Sequence, residues 1–383
     1  MPLDTCFKSR DDVLALQLKV QESEPPAAKS GPSKAGTVAL MVIALILLGS
    51  LAFYGPKVSS ALNSVPGVIS KLDSYFTVNT AGSDITAHSY SPLIGNGSAD
   101  ILYPPDYDTL AAYALQLINW DRANFSAGPV TLANNSAGQQ HADSMLRYGY
   151  FSHWDTQGYK PYMRYTLLGG TGADFENIAY IYDSGASYNT VSVEAAIKSL
   201  EYDMMYNDQT CCNNGHKDNI INPLHDQVSI GIAYNATTIY FDEEFQSTYI
   251  ANFNLSISNS NYVTITGVPT NPSVTDNVSA IYITYDSTPQ AETPSQLNSG
   301  PTEYDPGTIV GGVLPPMVLG SCGMFETGTT VCAGTWTFTQ SEVDVGFSLN
   351  PFINQNGAGV YTIYMVTGQS TDTAITTLSL FIN

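Results

Sequence analysis

The sequence predicts an α+β domain followed by an all-β domain, with one transmembrane helix before both. Three observations support this order. An uncharged interval separates Lys34 from Lys57, helical and strand patterns alternate over residues 106–245, and after about residue 250 only β-rich runs remain. With 383 residues, 43% of them hydrophobic, the chain has room for two or three domains with ordinary cores.

Residues 35–56 predict the membrane span. Their apolar core, GTVALMVIALILLGSLAFYG, is long enough at about 1.5 Å per residue to cross a hydrocarbon layer about 30 Å thick. The polar residues 1–34 predict a disordered cytoplasmic tail. Two alternatives stay open: a cleaved signal peptide, and a pilin-type signal cleaved beside Lys34, which would make the protein a subunit of a surface filament.

Two features predict that the N-terminus lies inside the cell. Lys29 and Lys34 lie near the span on its N-terminal side, against Lys57 alone on the other side. The glycan acceptor pattern Asn-x-Ser/Thr occurs only after the span, at Asn96, Asn124, Asn134, Asn235, Asn254 and Asn277. We therefore expect a single-pass glycoprotein of the cell membrane whose body, residues 57–383, is extracellular.

The charge distribution excludes one class of partner. The net charge is −21, and because acidic and basic groups cancel within residues 1–34, the excess acidity lies beyond residue 57. An acidic body repels phosphate backbones, and the sequence has no basic stripe interleaved with aromatic residues. We therefore expect no nucleic-acid partner.

Between residues 106 and 250 helices alternate with strands. The predicted helices span residues 106–124, 136–149 and 192–206, and the predicted strands span 176–182, 228–234 and 239–245. Helices interleaved with a small antiparallel sheet indicate an α+β domain. Residues 57–104 lack sustained periodicity, so they predict a stalk that joins this domain to the membrane.

Residues 255–383 predict a β-sandwich of immunoglobulin-like kind. Helical periodicity disappears there, and β-rich runs alternate with Pro, Gly and Asn turns: YVTITGV, SAIYITYD, GTWTFT, VDVGFSL, GVYTIYMVT and TTLSLFIN. These runs contain no catalytic constellation, so we expect a spacer or adhesive module.

The five cysteines divide by position. Cys322 and Cys332 belong to the predicted extracellular body and are separated by a short loop, so we expect a disulfide. Cys6 is expected to be a free thiol inside the cell. For the adjacent Cys211 and Cys212 three states stay open: a strained disulfide ring, two free thiols, or metal ligation without Cys-x-x-Cys spacing.

Five sequence words in the α+β region resemble one family. HADSM, FSHWD, ENIA, GHKDNIINP and VSIGIAY occur in this order with compatible spacing. Together they resemble the CAP superfamily of cysteine-rich secretory proteins, antigen 5 and pathogenesis-related 1, and most closely its cysteine-poor microbial members. The resemblance covers roughly residues 105–248, and it implies that a domain at residues 105–250 is a three-layer α-β-α sandwich.

The resemblance also implies a cleft in which four side chains meet. It places cleft residues at His153, Glu176 and His216, and at an acidic residue of the third helix. A helical wheel does not separate Glu201 from Asp203 for that fourth position, but the family pattern favours Glu201. Two imidazoles and two carboxylates in a solvent-open cleft predict a site for zinc or another divalent cation, or a histidine–carboxylate acid–base pair.

Other polar residues of this region are expected to have structural roles. His141 shares a helix face with Met145, which predicts a packed, hydrogen-bonded core histidine. His225 is expected in a loop, and Asn177 and Asn219 are expected to make structural hydrogen bonds.

Two functions fit these expectations. The first is a non-enzymatic surface module that binds a ligand, a lipid or a cell-envelope component through the cleft. The second is a metal-dependent hydrolase of peptides or envelope polymer. The sequence contains no Gly-x-Ser-x-Gly, no His-Glu-x-x-His and no phosphate-cradling glycine loop, so it favours the first.

Overall fold

The computed structural model describes residues 104–185, 188, 190–317 and 321–383, and these all belong to one compact unit. Outside these ranges lie the predicted tail (1–34), the predicted membrane span (35–56), the predicted stalk except Pro104, and with them Cys6 and Asn96. Among the residues described, no helix combines the length and the apolar character needed to cross a membrane.

The first part of the described chain, up to residue 249, alternates helices and strands. Its elements in chain order are α1 (Tyr107–Asn124), β1 (Thr131–Leu132), α2 (Ala137–Tyr148), α3 (Pro161–Leu167), β2 (Ala173–Tyr182), α4 (Thr190–Tyr206), α5 (Asp208–Cys212), α6 (Gly215–Ile220), β3 (Gln227–Tyr234) and β4 (Thr238–Ser247). Every predicted helix and strand of this part is present, with its ends within about three residues of the predicted ones. The elements that the sequence did not predict, α3, α5, α6 and β1, are too short to show a periodic pattern.

A four-stranded sheet in the order β1-β3-β4-β2 forms the centre of this part. β4 pairs antiparallel with β3 and β2, and β1 pairs in parallel with β3. The edge strand β2 places Glu176 opposite Glu244 of β4. Because strand side chains alternate between faces, β4 directs Asp242 and Glu244 to one face and Glu243 to the other.

Helices cover both faces of this sheet. α1 and α4 pack on one face, where Ile197 of α4 and Ile230 of β3 belong to the same buried cluster. α2 packs on the other face, where Met145 shares a buried cluster with Tyr240 of β4. The first part is therefore a mixed α+β fold in three layers.

The close approach of α2 to β3 requires two glycines. A Cβ at Gly231 would lie 2.1 Å from the carbonyl oxygen of Gly138, so a side chain there would push the helix away from the sheet. His141 follows Gly138 by three residues on α2. The contact therefore holds His141 against the acidic face of β4.

The second part of the chain consists mainly of strands. Its elements in chain order are β5 (Ile250–Ile257), β6 (Tyr262–Pro269), α7 (Pro272–Thr275), β7 (Ala280–Asp286), α8 (Pro294–Leu297), β8 (Thr308–Leu314), β9 (Thr329–Cys332), β10 (Thr335–Phe338), β11 (Val343–Ser348), α9 (Asn350–Asn356), β12 (Gly359–Val366), a 3-10 turn (Thr371–Thr373) and β13 (Ala374–Ile382). Each β-rich run predicted from the sequence corresponds to a strand. The sequence did not predict β5, β8 and β9. In β8 the adjacent Gly311 and Gly312 interrupt the strand pattern.

Two sheets enclose one core in the second part. A four-stranded sheet runs β10-β11-β6-β5, and a five-stranded sheet runs β13-β12-β7-β8-β9. Val345 and Ile265 of the first sheet belong to the same buried cluster as Ile283 and Ile363 of the second. Burial of this shared apolar surface is the main stabilising contribution to the second part.

The second part packs directly on the first. Tyr162 and Met163 of α3 form a buried cluster with Val360 of β12. The backbone N–H of Thr377 in β13 donates to the carbonyl oxygen of Gly172 at 2.9 Å. The five-stranded sheet therefore covers α3 and the start of β2.

An ion-pair network joins the two parts beside this contact. The Nζ atom of Lys160 lies 2.8 Å from a carboxylate oxygen of Asp286 and 2.8 Å from one of Asp305. The hydroxyl of Tyr162 donates to the other Asp286 oxygen at 2.7 Å. These contacts fix the loop before β8, including Tyr304, against the first part.

Cys322 and Cys332 form the predicted disulfide, with their Cα atoms 5.5 Å apart. We expect the Cys322→Ser, Cys332→Ser double variant to lose about 2 to 3 kcal/mol of unfolding free energy, because a crosslink over a loop of this length restricts the unfolded chain. Denaturant unfolding of the parent and the variant measures the difference. An unchanged midpoint and slope would mean that the crosslink adds no stability.

Candidate functional site

Glu176 of β2 is the centre of a buried network. Its Oε1 lies 2.7 Å from Nδ1 of His153, its Oε2 lies 2.8 Å from Nδ1 of His141, and Oε2 also accepts a hydrogen bond from Nη2 of Arg164. Burial alone would raise the pKa of Glu176, but Arg164 and the two histidines hold it well below its usual range. Glu176 is therefore an ionised carboxylate with three cationic or hydrogen-bonding neighbours.

Local sequence explains how these groups converge. Gly149 ends α2 in the left-handed conformation at φ 71°, which turns the chain away from the helix towards His153. Pro161 occupies the first turn of α3, where its missing N–H has no intrahelical role, and Arg164 follows one turn later. The Nη1 atom of Arg164 then donates to the carbonyl oxygen of His153 at 2.7 Å, which fixes the loop between α2 and α3.

His153 presents one free ring nitrogen. Its Nδ1 is bonded to Glu176, and its Nε2 makes no hydrogen bond to the described residues. Burial lowers the pKa of His153 by more than Glu176 raises it, so the imidazole is neutral near pH 7. In that tautomer Nδ1 donates to Glu176 and Nε2 is free to accept a hydrogen bond, accept a proton or bind a cation.

Tyr304 from the second part closes over this pair. Its ring centroid lies 4.7 Å from that of His153. The backbone N–H of Glu176 donates to the Tyr304 hydroxyl at 2.9 Å. The sequence predicted a solvent-open cleft. That prediction is wrong for His153 and Glu176, whose exposed fractions are 6% and 4%, because the loop before β8 covers them.

Glu201 lies on the face of the sheet opposite to the Glu176 side chain. It is buried on α4 and directed inwards against Glu243 of β4, and burial followed by repulsion from Glu243 raises its pKa well above the usual range. Asn177 of β2 donates to the same Glu243 at 3.2 Å. Asp203 instead accepts a hydrogen bond from Asn207 at the surface. The structure therefore distinguishes Glu201 from Asp203, which the helical wheel did not.

His216 has a partner that the sequence did not indicate. Its Nδ1 lies 2.6 Å from Oδ1 of the buried Asp208, whose Oδ2 accepts the backbone N–H of His216 at 2.9 Å. His216 is near enough to His153 to lower the pKa of that imidazole further. The four predicted cleft residues thus form one direct pair, His153 with Glu176, while Glu201 and His216 each have another carboxyl partner.

Two groups of ligand-type side chains converge within the described part of the chain. In the first, His141, Glu176 and Asp242 offer ligand atoms within 4.8 Å of one another. The Nη2 atom of Arg164 is hydrogen-bonded to Glu176 and lies 3.0 Å from Nδ1 of His141, so a guanidinium already neutralises this group. The second group is Asp208, Cys211, Cys212 and His216. Neither group unites the four residues predicted as a metal site.

The remaining sequence expectations concern structural residues. His141 is a buried, hydrogen-bonded core histidine, as predicted. His225 lies in the loop before β3, but it is buried, and burial together with Arg122 lowers its pKa to about 3. Asn219 donates to Asn177 at 3.0 Å and bonds Nε2 of His225 at 2.8 Å. Both asparagines therefore make the structural hydrogen bonds that the sequence predicted.

Comparison with known proteins gives a small number of similar structures. No protein-family model matches the sequence, and the comparison with curated proteins found no match. An extracellular protein containing a SCP domain from Bacillus anthracis str. Ames is 17% identical with a TM-score of 0.28, over 38% of this chain and 45% of that one. The CAP domain of Enterococcal PrgA is 12% identical with a TM-score of 0.30, over 39% of this chain and 65% of that one. The first protein contains a SCP domain, and the second structure is a CAP domain. The match spans about half to two thirds of their lengths.

The sequence reasoning missed a set of buried acids around Glu176. Asp242, Glu243 and Glu244 follow one another in β4, and all are inaccessible to solvent. Burial raises the pKa of Asp242 to about 8 and that of the neighbouring Asp174 to about 7, and it raises the pKa of Glu244 well above its usual range. The sequence segment that could have indicated these acids is FDEEF, residues 241–245, which places three acidic residues in a predicted strand. Helices cover both faces of this strand in the structure, so all three side chains are buried.

A groove lies where the two parts meet, next to His153 along the chain. Its volume is about 190 Å³. Trp154 and Met163 supply an apolar wall, and Lys160, Asp286 and residues 287–290 supply polar groups. Lys160 stands 5.6 Å from the Trp154 ring centroid, so a cation and an aromatic face share one wall.

Proposed function

We propose that the protein is an extracellular recognition module of CAP type that binds a polar, hydroxyl-rich component of the cell envelope. The observation that carries the proposal is the groove between the two parts, where an aromatic ring, a cation and carboxylates lie together. The assignment to CAP type is supported by the five motif words and by the three-layer α+β fold in which they lie. Residues 255–383 act in this proposal as an immunoglobulin-like β-sandwich that completes the binding site.

The composition of the groove favours a polar ligand over an acyl chain. Ligand sites commonly combine an apolar wall with a few placed polar groups that fix the ligand's orientation. Trp154 offers a flat face for a ring, while Asp286 and the backbone of residues 287–290 offer acceptors for hydroxyl groups. A groove of about 190 Å³ accommodates a single small group of a polymer, so we infer that a chain of envelope polymer binds with one unit inserted.

His153 itself does not line the groove and is 6% exposed beneath Tyr304, so it is not part of the recognition surface. Its free Nε2 would bind zinc in the alternative function, a metal-dependent hydrolase. That alternative requires the predicted set His153, Glu176, Glu201 and His216 to converge, and the partners of Glu201 and His216 described above disfavour it.

Membrane anchoring at residues 35–56 is part of the proposal. It is supported by the uncharged interval of the sequence and by the basic residues on its N-terminal side. The acceptor asparagines that the structure describes are all exposed, as an extracellular glycoprotein requires: Asn124, Asn134, Asn235, Asn254 and Asn277. An anchored body would present the groove to the polymer surrounding the cell.

The proposal is tested by binding of the full chain, in detergent micelles, to delipidated envelope polysaccharide from the producing cells. We expect Trp154→Ala to raise the Kd in a sedimentation assay at least tenfold, which corresponds to about 1.4 kcal/mol. The matched control is Trp120→Ala, since Trp120 is 62% exposed on α1 and does not line the groove. This control should bind like the parent.

Equal binding by the parent and Trp154→Ala would refute recognition at the groove. The same assay distinguishes binding from hydrolysis, the alternative function. A hydrolase would release soluble polymer fragments, and the supernatant is analysed for them. Release of fragments that is stopped by chelation and by His153→Gln would establish hydrolysis. Binding without release is the result that we expect.

A further inference from the structure

A group of ligand-type side chains lies at α5 and the start of α6, and it contains neither His153 nor Glu176. One ligand atom from each of Asp208, Cys211, Cys212 and His216 lies within 4.8 Å of all the others. Asp208 is buried, and the other three side chains are partly exposed. Cys211 and Cys212 are joined as a disulfide between adjacent residues.

The chain reverses between the cysteines and the histidine. Asn213 and Asn214 both have positive φ, at 50° and 67°, and asparagine adopts this left-handed conformation more readily than most residues with a Cβ. Two such residues in sequence bring the start of α6 back beside α5. Asp208 then fixes His216 through both its ring and its backbone N–H.

Two thiolates, an imidazole and a carboxylate form a ligand set that zinc accepts in tetrahedral geometry. Zinc bond lengths of about 2.0 to 2.3 Å separate tetrahedral ligand atoms by about 3.3 to 3.8 Å. Every pair of ligand atoms in the group lies within 4.8 Å, so no pair exceeds the tetrahedral spacing by more than about 1.5 Å. A disulfide provides no thiolate, so the oxidised pair cannot supply the two sulfur ligands.

We propose that reduction of the Cys211–Cys212 disulfide creates a site for a zinc-class divalent cation held by both thiolates, His216 and Asp208. The reductant is a dithiol. It transfers two electrons and two protons, its own two sulfur atoms join as a disulfide, and the Cys211–Cys212 bond breaks to give two thiols. The cation then displaces one proton from each thiol.

This site is separate from the groove of the proposed function. It shares His216 with the predicted cleft set but uses neither His153 nor Glu176. Its sulfur ligands also give it a spectroscopic signature that an imidazole and carboxylate site lacks. Failure of one proposal therefore does not imply failure of the other.

The experiment uses cobalt(II) as the metal probe and the full chain in detergent micelles. One sample is reduced with a phosphine under anaerobic conditions and freed of reductant, and its free thiols are counted by alkylation and mass analysis. We expect the reduced protein to bind one equivalent of cobalt with a thiolate-to-cobalt charge-transfer band, which one equivalent of zinc removes. The oxidised protein should show no band.

Cysteine and histidine variants identify the side chains that bind the cobalt ion. The band should disappear in Cys211→Ser, Cys212→Ser and persist in Cys322→Ser, Cys332→Ser, which also loses a disulfide. His216→Ala should weaken cobalt binding at least tenfold, whereas His153→Ala should bind like the parent. Circular dichroism establishes that each variant is folded.

Three results would overturn the proposal. The first is a reduced protein with free thiols at Cys211 and Cys212 but no charge-transfer band. The second is a band that survives Cys211→Ser, Cys212→Ser, because its sulfur ligands would then come from other cysteines. The third is a Cys211–Cys212 bond that the phosphine does not reduce in the folded protein.

Discussion

Replacement of Arg164 by glutamine is expected to lower the free energy of unfolding by about 3 to 5 kcal/mol, the range measured when one partner of a buried ion pair is removed. Arg164 is 3% exposed. It donates to Glu176, to the carbonyl oxygen of His153 at 2.7 Å and to that of Tyr159 at 2.9 Å. Without the guanidinium, the Glu176 carboxylate loses its main neutralising charge while it remains buried.

The matched control is Arg147→Gln. Arg147 is also a helical arginine paired with a carboxylate, Asp143 at 2.7 Å, but its side chain is 39% exposed and the pair has i, i+4 spacing. Pairs of this kind contribute about 0.3 to 0.5 kcal/mol. Both variants are measured by denaturant unfolding at pH 7. A dependence of the unfolding free energy on denaturant concentration equal to the parent's indicates that two-state behaviour is kept.

A double variant tests the physical cause. Arg164→Gln combined with Glu176→Gln removes the uncompensated charge. The double variant should therefore lose less unfolding free energy than the sum of the losses of the two single variants. A loss from Arg164→Gln no greater than that from Arg147→Gln would contradict the central role of this guanidinium. Additive losses would mean that Arg164 acts through its carbonyl contacts instead.

The secondary structure of the first part was predictable because its helices carry a regular apolar stripe. Ile197, Leu200 and Met204 of α4 follow the helical spacing and are all buried. Local patterns of this kind depend on residues within one or two turns. The C-terminal strands were recognisable for the same reason, since their alternation is also local.

The partners in the site were not predictable from local patterns. Tyr304 lies 128 residues from Glu176 in sequence, yet its hydroxyl accepts the Glu176 backbone N–H. Asp208 became the partner of His216 because two left-handed asparagines reverse the chain between them. Tertiary packing sets both contacts, so single-sequence reasoning had no signal for them beyond the family resemblance.

The buried acids lead to the second large effect. The protein is expected to be most stable in mild acid and to lose on the order of 5 kcal/mol of unfolding free energy between pH 5 and pH 8, because each additional proton held by the folded state changes stability by about 1.4 kcal/mol per pH unit. Burial raises the pKa of Asp174 to about 7 and that of Asp242 to about 8. It also raises the pKa of Glu201 and Glu244 well above the usual range.

The direction in which the unfolding free energy changes with pH depends on whether the folded or the unfolded state binds more protons. Between the unfolded pKa of about 4 and the raised folded values, the folded chain keeps protons on these carboxyls that the unfolded chain has released. Their stabilising contribution is complete below about pH 4 and is lost as the pH rises through the folded values. His225 and His153 act in the opposite direction, since their lowered pKa values reduce stability below about pH 6.5. The raised carboxyls outnumber these two histidines, so the net slope is negative.

Glu244→Gln isolates one of these titrations. Glutamine resembles the protonated carboxyl and cannot release a proton, so the fall in stability from pH 5 to pH 8 should become shallower by up to about 1.4 kcal/mol per pH unit. Glu342→Gln is the control, because Glu342 is an exposed glutamate in the loop before β11 and should leave the slope unchanged. Denaturant unfolding at pH 5, 6.5 and 8 measures all three proteins. A parent whose stability rises from pH 5 to pH 8 would mean that Asp174, Asp242 and Glu244 are ionised in the folded state, and that cations beyond Arg164 and His141 neutralise them.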